Sequence, residues 1–405
     1  MIGAGLDQPG IFMKLLTTII RIFVGVLFIF SGLIKANDPL GLSYKMQEFF
    51  EAWNDSLSKG SFFLNHALIS FFDFLHQHSL ALSVLMIAFE IIAGGALLLG
   101  WQMRIFSRLL LLLIIFFTFL TGYALLSGKF KNCGCFGDCI PISPKTSFLK
   151  DVALTILISF LFWQRKKIKS FFSPRIDFIA MFAVIILSFG IQWYMLTYLP
   201  IWDCLPFKVG NNISEQMKLP ADAIPDSTVI TFVYDKQGKT VEFTSDNFPA
   251  DFNDSLYKFV NRYDKVIRKG KNNEPPIKGF TLSGITDVDS TQIILNQPYA
   301  ILLFCMDFSE PVSRWEKDFS KLYEDAKTKN IPVYVVTARM DQAATAFAGT
   351  SFATIPVFKC DYTAIRTAAR TNPCLYLLKQ GTIFGKWSYK CINSAIKKLP
   401  AAGNP

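Results

Sequence analysis

Histidine is scarce in this chain, with three residues in 405, all in one stretch at His66, His76 and His78. No acidic or thiolate partner stands at ligand spacing from His76-Gln77-His78, so interfacial or solvated imidazoles are expected there and a metal site is not. A glycine-rich nucleotide loop and a hydrolase triad are also lacking, which removes two large enzyme classes. Charge is thin: charged residues make up 18% and hydrophobic residues 51%, with the apolar ones gathered before residue 200 and the charged ones after it. That asymmetry describes a membrane domain followed by a soluble one. The net charge of +10 could suggest nucleic acid, but the basic residues cluster beside apolar spans and report topology, so no nucleic-acid partner is expected. No small-residue cleavage pattern follows the first apolar run, which continues into Lys35-Ala36-Asn37-Asp38-Pro39, so that run reads as a retained helix.

Residues 1–12 are weakly patterned and precede Met13-Lys14, an alternative start, so they are expected to be a disordered extension. Residues 15–34, 80–100, 105–126 and 176–199 are each long and apolar enough to cross a bilayer. A fourth run, 152–163, is short, and reaches crossing length only if Ser147-Phe148-Leu149 belong to it and Lys150 and Asp151 sit at the interface. Residues 36–78 read as a long loop containing a membrane-surface helix over 61–79. Arg104, Arg108, Arg165, Lys166, Lys167, Lys169 and Arg175 flank the second-to-third and fourth-to-fifth connections, placing both in the cytoplasm. The N-terminus is then inside, and everything after residue 200 outside the inner membrane. Arg21 and Glu90 lie inside adjacent antiparallel runs at similar expected depth, where a lone charge is costly, so mutual pairing, snorkelling or a proton path is expected. The five spans carry no evident internal repeat, which disfavours a transporter.

Beyond the spans, residues 228–234 and 240–244 alternate around Asp235-Lys236-Gln237-Gly238 as a hairpin, residues 251–269 read as a helix and 270–276 as a linker. Strands over 299–306, 332–337, 374–379 and 383–387, with helical periodicity over 313–329, give an α/β pattern.

The chemistry-bearing stretch is Asn132-Cys133-Gly134-Cys135-Phe136-Gly137-Asp138-Cys139, which holds three of the eight cysteines on a loop placed outside, with Cys204 on the same side past the fifth span. Cys133 and Cys135, one glycine apart, permit only a small strained ring, easily reduced and a good oxidant. Cys139 can instead pair with either of them, and Cys204 bridging to the loop would leave no odd cysteine among the four. Gly134 and Gly137 supply the flexibility for switching. Asp138 would raise a neighbouring thiol's pKa, which Lys129 and Lys131 oppose. Three readings stand: redox-active thiols, disulfides pinning the loop, or a metal site from Cys133, Cys135, Cys139 and Cys204. The spacing is not that of the usual zinc knuckle, and the compartment favours oxidation.

Two family resemblances cover most of the chain. Arg21-x3-Gly25-x2-Phe28-x2-Ser31-Gly32-x2-Lys35-x2-Asp38-Pro39, Glu90 with Gly94 and Gly100, and the Cys-Gly-Cys-Phe-Gly-Asp-Cys string resemble DoxX/MauE-like membrane proteins. The resemblance implies a four-helix bundle associated with redox maturation of extracytoplasmic proteins, acting beside a thioredoxin-like partner. It also implies a likeness to the bundle of vitamin K epoxide reductase, which passes electrons from thiols to a quinone. Pro275-Pro276-Ile277-Lys278-Gly279-Phe280-Thr281-Leu282, Thr371-Asn372-Pro373 before a strand, and the turn at Gly381–Gly385 resemble periplasmic thioredoxin-like (TlpA/peroxiredoxin-like) domains, with Pro373 at the cis-proline position. Where that family carries Cys-x-x-Cys, this chain has Ser309 and Val312, so dithiol exchange at that site is excluded. Cys305, Cys360, Cys374 and Cys391 are expected to be inert.

The expected architecture is an extension (1–12), a DoxX/MauE-like four-helix membrane domain (13–164), a fifth transmembrane helix (165–200), a β-hairpin/helix segment and linker (201–274) and an α/β thioredoxin-like domain (275–405). The expected function is thiol–disulfide exchange, or support of disulfide or cofactor maturation, linked to a quinone. Cys133, Cys135 and Cys139 would be catalytic with Cys204 as partner, and Arg21 and Glu90 would handle charge beside the quinone. The rival is a non-enzymatic envelope scaffold or assembly factor whose thioredoxin-like domain binds a protein partner.

Overall fold

The computed structural model describes residues 8–60, 64–130, 134, 136–268 and 270–400. Cys133 and Cys135, and with them the redox reading placed on them, lie outside the described residues. Seven helices come first: α1 (Gln8–Ala36), α2 (Pro39–Ser58), α3 (Asn65–Gln77), α4 (Ser79–Leu99), α5 (Met103–Ser127), α6 (Pro144–Gln164) and α7 (Pro174–Tyr198). Five of them, α1 and α4 to α7, are long and apolar enough to span a membrane. The fourth run gains its length at its N-terminal end, where Ser143 caps α6 by accepting from the Thr146 N–H and Pro144 sits in the first turn. Lipid-facing side chains are plain on α7, where Phe178, Ile179 and Leu187 are each more than 60% exposed.

The bundle closes where small residues meet. A Cβ on Gly94 would lie 2.8 Å from the Gly25 carbonyl oxygen, so α1 and α4 approach as closely as backbone allows. Residues 36–78 are helical over most of their length, not a long loop. The Asp38 carboxylate accepts from the Gly41 N–H and, with Pro39, starts α2 immediately after α1. Within the stretch 61–79, where a helix is expected, the described residues form α3.

After α7 comes the short α8 (Ile213–Gln216), then β1 (Ser227–Lys236), β2 (Lys239–Thr244) and β3 (Tyr257–Arg268), an antiparallel sheet ordered β2-β1-β3. The β1–β2 turn has positive φ at Gln237 and Gly238, matching the hairpin signal. Residues 257–268 form a strand, not the expected helix. Their aromatic and β-branched content suits a pleated surface, and they pair along the whole of β1.

The last unit contains α9 (Thr291–Leu295), β4 (Ala300–Cys305), α10 (Glu316–Thr328), β5 (Val333–Thr337), α11 (Met340–Phe347), β6 (Val357–Lys359), α12 (Tyr362–Ala368), β7 (Cys374–Lys379), β8 (Thr382–Ser388) and α13 (Ile392–Ile396). Its mixed sheet is ordered β6-β5-β4-β7-β8, with β4, β5 and β6 parallel and β7 and β8 antiparallel. β4 is buried on both faces: Leu302 and Phe304 enter one core, and Ile301, Leu303 and Cys305 the other. The Asn372–Pro373 bond before β7 is cis. This α/β architecture is compatible with a thioredoxin-like domain.

Candidate functional site: the cysteine-loop end of the bundle

Glu90 is 1% exposed in the middle of α4, and its counter-charge is Lys35 at 2.5 Å, itself 4% exposed. Ser31, one turn before Lys35, donates to the other carboxylate oxygen at 3.1 Å. The pairing expected between Glu90 and Arg21 does not form. Ten residues of helix, about 15 Å, separate Arg21 from Ser31, and Arg21 stands beside Gly100 at the opposite end of the bundle. A buried ion pair of this kind survives only when its remaining hydrogen-bonding capacity is met, which Ser31 helps to do.

A second buried carboxylate faces the first across the bundle. Asp151 of α6 is fully buried, with the Lys150 ammonium 2.8 Å away and the Thr121 hydroxyl at 3.1 Å. Lys150 Nζ also lies 5.0 Å above the Phe136 ring.

Between these two pairs lies an apolar pocket. Phe28, Phe49, Phe50, Trp53 and Phe117 supply its aromatic wall, Ser31, Lys35, Glu90, Thr121, Lys150 and Asp151 its polar groups, and Gly134 and Phe136 of the cysteine loop part of its rim. Gly134 has φ +68, and a Cβ there would lie 3.2 Å from Lys45 Cγ, so glycine lets the loop lie against α2. Sequence reasoning found Glu90 and the loop but gave no role to Lys35 or Asp151. The signal was present in Ser31 and Lys35 one turn apart, and in an acid inside an apolar run.

Cys139 and Cys204 are joined by a disulfide with their Cα atoms 4.9 Å apart. The residues before Cys204 are held as well. Trp202 exchanges two hydrogen bonds with the Asn37 side chain, at 2.8 and 3.0 Å, and Asp203 pairs with Lys386 of β8 at 2.7 Å.

The α/β unit docks on this same end. Arg370, 4% exposed, reaches from the residues before the cis peptide bond to Asp38 at 2.8 Å and to Asp138 of the cysteine loop at 3.4 Å. Arg366 donates to Gln47 Oε1 at 2.7 Å, with its guanidinium 3.7 Å from the Tyr44 ring centroid, and the Tyr44 hydroxyl lies 3.4 Å from Met306 Sδ. Asn372 ties Met306 and Asp307 to the Pro373 loop. Ser309 turns its hydroxyl onto Asp307, and Val312 packs toward the core. The structure thus brings Ser309 and Pro373 to the docked end, and among the described residues the thiols next to them in the chain, Cys305 and Cys374, are buried. Cys305, Cys360 and Cys374 are buried, and burial holds all three thiols up, Cys360 at about 12 and Cys374 at about 11. Among the described residues no cluster of His, Cys, Asp and Glu could hold a metal ion.

Compared with known proteins, residues 13–164 match the family model described as methylamine utilisation protein MauE. Residues 228–269, the β1–β3 sheet, match a domain of unknown function (DUF8463). No curated protein and no solved structure gives a match. Residues 13–164 are therefore a MauE-like membrane domain, carried ahead of a fifth apolar helix and an α/β unit.

Proposed function

We propose that the chain is a membrane redox protein of extracytoplasmic thiols, with Cys133 and Cys135 as the exchanging pair and the apolar pocket rimmed by Gly134 and Phe136 as a quinone site. The observation that carries this is the pocket itself. It places a cysteine-loop rim, an aromatic wall and two buried carboxylates, each paired with a lysine, around one space. The residues fit a quinone: flat aromatic and aliphatic walls take a ring and tail, and the Lys35 and Lys150 ammonium groups suit carbonyl oxygens. When bound, a quinone takes up the two electrons and two protons released as a dithiol closes to a disulfide.

The chain's own residues supply the rest. With Cys139 engaged by Cys204, Cys133 and Cys135 remain as the loop pair. A substrate thiolate attacks one sulfur of their disulfide and releases the other as a thiolate. The substrate's second thiol then closes on the mixed bond, and the loop is left reduced. Glu90 and Asp151 are carboxylates that can hold protons at the pocket wall. Arg21 has no part in this, being at the other end. The N-terminus is placed in the cytoplasm and the loop outside by the basic connections.

Alkylation followed by mass spectrometry on the full chain in nanodiscs tests the reading. Thiols at Cys133 and Cys135 should appear with a reduced dithiol peptide and disappear on adding a short-chain quinone. A thiol state moved by neither reagent refutes it.

A second reading has its own observation. Cys305, Cys360 and Cys374 are buried, and the Pro373 end is docked on α2. On that basis the α/β unit, read as thioredoxin-like, is a non-enzymatic module of an envelope scaffold or assembly factor. A stoichiometric envelope complex on co-purification, with C133S/C135S retaining full function, would establish it in place of the first.

A further inference from the structure

We propose that the end of the bundle opposite the Cys139–Cys204 bond binds the phosphate headgroup of an anionic membrane phospholipid through Arg21, Lys14, Lys167 and Lys169. These four cations line one pocket between α1, the end of α6 and the connection to α7, joined by Gln164, and the lining contains no carboxylate. Arg21 is the decisive member. It is 4% exposed, its guanidinium carbon sits 4.5 Å over the Phe171 ring, and its Nε is a buried donor with no hydrogen-bond partner among the described residues. Of the buried acids on neighbouring helices, Glu90 pairs with Lys35 and Asp151 with Lys150, while Asp177 accepts from Ser170 through one oxygen and keeps the other unpartnered; none of the three lines this pocket.

A buried guanidinium at the edge of hydrocarbon needs both a counter-charge and acceptors for its planar donors, and a phosphate monoanion supplies both. The three lysines add charge without competing for the same site, since ammonium groups act on phosphate as point charges. The lipid, and not the free ion, follows from the setting. The pocket lies where apolar spans end, and Met13, Ile168 and Phe171 give it an apolar rim that a soluble anion would leave uncovered. The competing explanation is that Arg21 reaches bulk water at this end and needs no ligand.

The test uses the full chain in phosphatidylcholine nanodiscs with and without phosphatidylglycerol, read by native mass spectrometry of retained lipid and by thermal unfolding. The wild-type chain is expected to retain phosphatidylglycerol selectively and to unfold at a higher temperature with it. K167Q/K169Q, on an exposed connection, should weaken that preference roughly thirty-fold, from the attraction of each basic residue for an anionic headgroup. R21Q should abolish it. K166Q/R175Q removes equal charge from the same connection outside the pocket, and should leave the preference within about three-fold. The proposal is overturned if the wild type shows no preference, or if both double variants weaken it equally. Inorganic phosphate stabilising the chain as well as phosphatidylglycerol would overturn the lipid assignment. Should R21Q fail to fold, the two lysine and arginine double variants still decide the matter.

Discussion

Replacing Arg370 with alanine should undock the α/β unit from the bundle while leaving both folded. Burial pulls the pKa of this guanidinium down, but Asp38, Tyr44 and Asp138 outweigh that and hold it above the ordinary arginine value. It is a charge that the interface needs. Removing one partner of a buried ion pair costs ~3–5 kcal/mol, because the other charge is left without compensation. Here Asp38 keeps 14% and Asp138 30% of its side-chain surface, so water recovers part of that loss. The lower end, about 3 kcal/mol, is therefore expected, or roughly 150-fold in the docking equilibrium. The partner variant is D38N/R370A, in which asparagine still caps α2 by accepting from Gly41 and only the more exposed Asp138 carboxylate is left without its partner. Hydrogen exchange on the full chain in nanodiscs is the assay, followed at residues 38–47 and 366–373. R370A should speed exchange at both segments and leave β4 and β7 protected, and the double variant should recover part of the loss. Unchanged exchange at these segments in R370A, or equal losses in the single and double variants, would refute the electrostatic dock.

Other expected outcomes concern the bundle and the thiols. C139S/C204S opens a bridge between residues 65 apart in sequence; a free chain would lose about 4 kcal/mol, and the two intervening spans should make the measured loss in thermal melts smaller. K35M leaves Glu90 buried without its counter-charge, and should destabilise the bundle by ~3–5 kcal/mol in denaturant titrations, whereas K35M/E90L should recover most of it. G94A places a methyl against the Gly25 carbonyl and should cost ~1–3 kcal/mol by forcing α1 and α4 apart. With Cys374 held at about 11, native alkylation at pH 8 should be slow, with thiolate on the order of one part in a thousand. Because that pKa is raised from an ordinary 9.0, the stability tied to the protonated thiol is complete below pH 9 and is lost as pH rises toward 11, which melts against pH would record.

Helices that meet lipid write themselves into the sequence, since each needs a long apolar run, and all five candidate spans were legible there. The strand over Tyr257–Arg268 was not. Its charges follow its aromatics at a spacing that suits a helix as well as an exposed strand, and only pairing with β1 decides between them. α2 escaped notice because its amphipathic face packs on other helices and not on lipid. At the site, Glu90 stood out as an acid in an apolar run. Its partner did not, because depth along two crossing helices depends on where Gly25 and Gly94 meet, which no single-helix pattern encodes. The docking of Arg370 onto Asp38 and Asp138 links residues more than two hundred apart in sequence and carries no local signature at all.

Trp202, Asp203 and Cys204 are consecutive, yet each is fastened to a different part of the molecule: α1's end, β8 and the cysteine loop. The segment therefore behaves as a ruler of fixed length between the last span and the α/β unit. Lengthening it by a single residue between Tyr198 and Trp202 must break one fastening or strain all three, whereas the exposed turn at Asp246 can take an insertion with little effect. Cutting the sulfur bridge alone releases one fastening of three, so a change of redox state there would slacken the cysteine loop without letting the attached unit drift away.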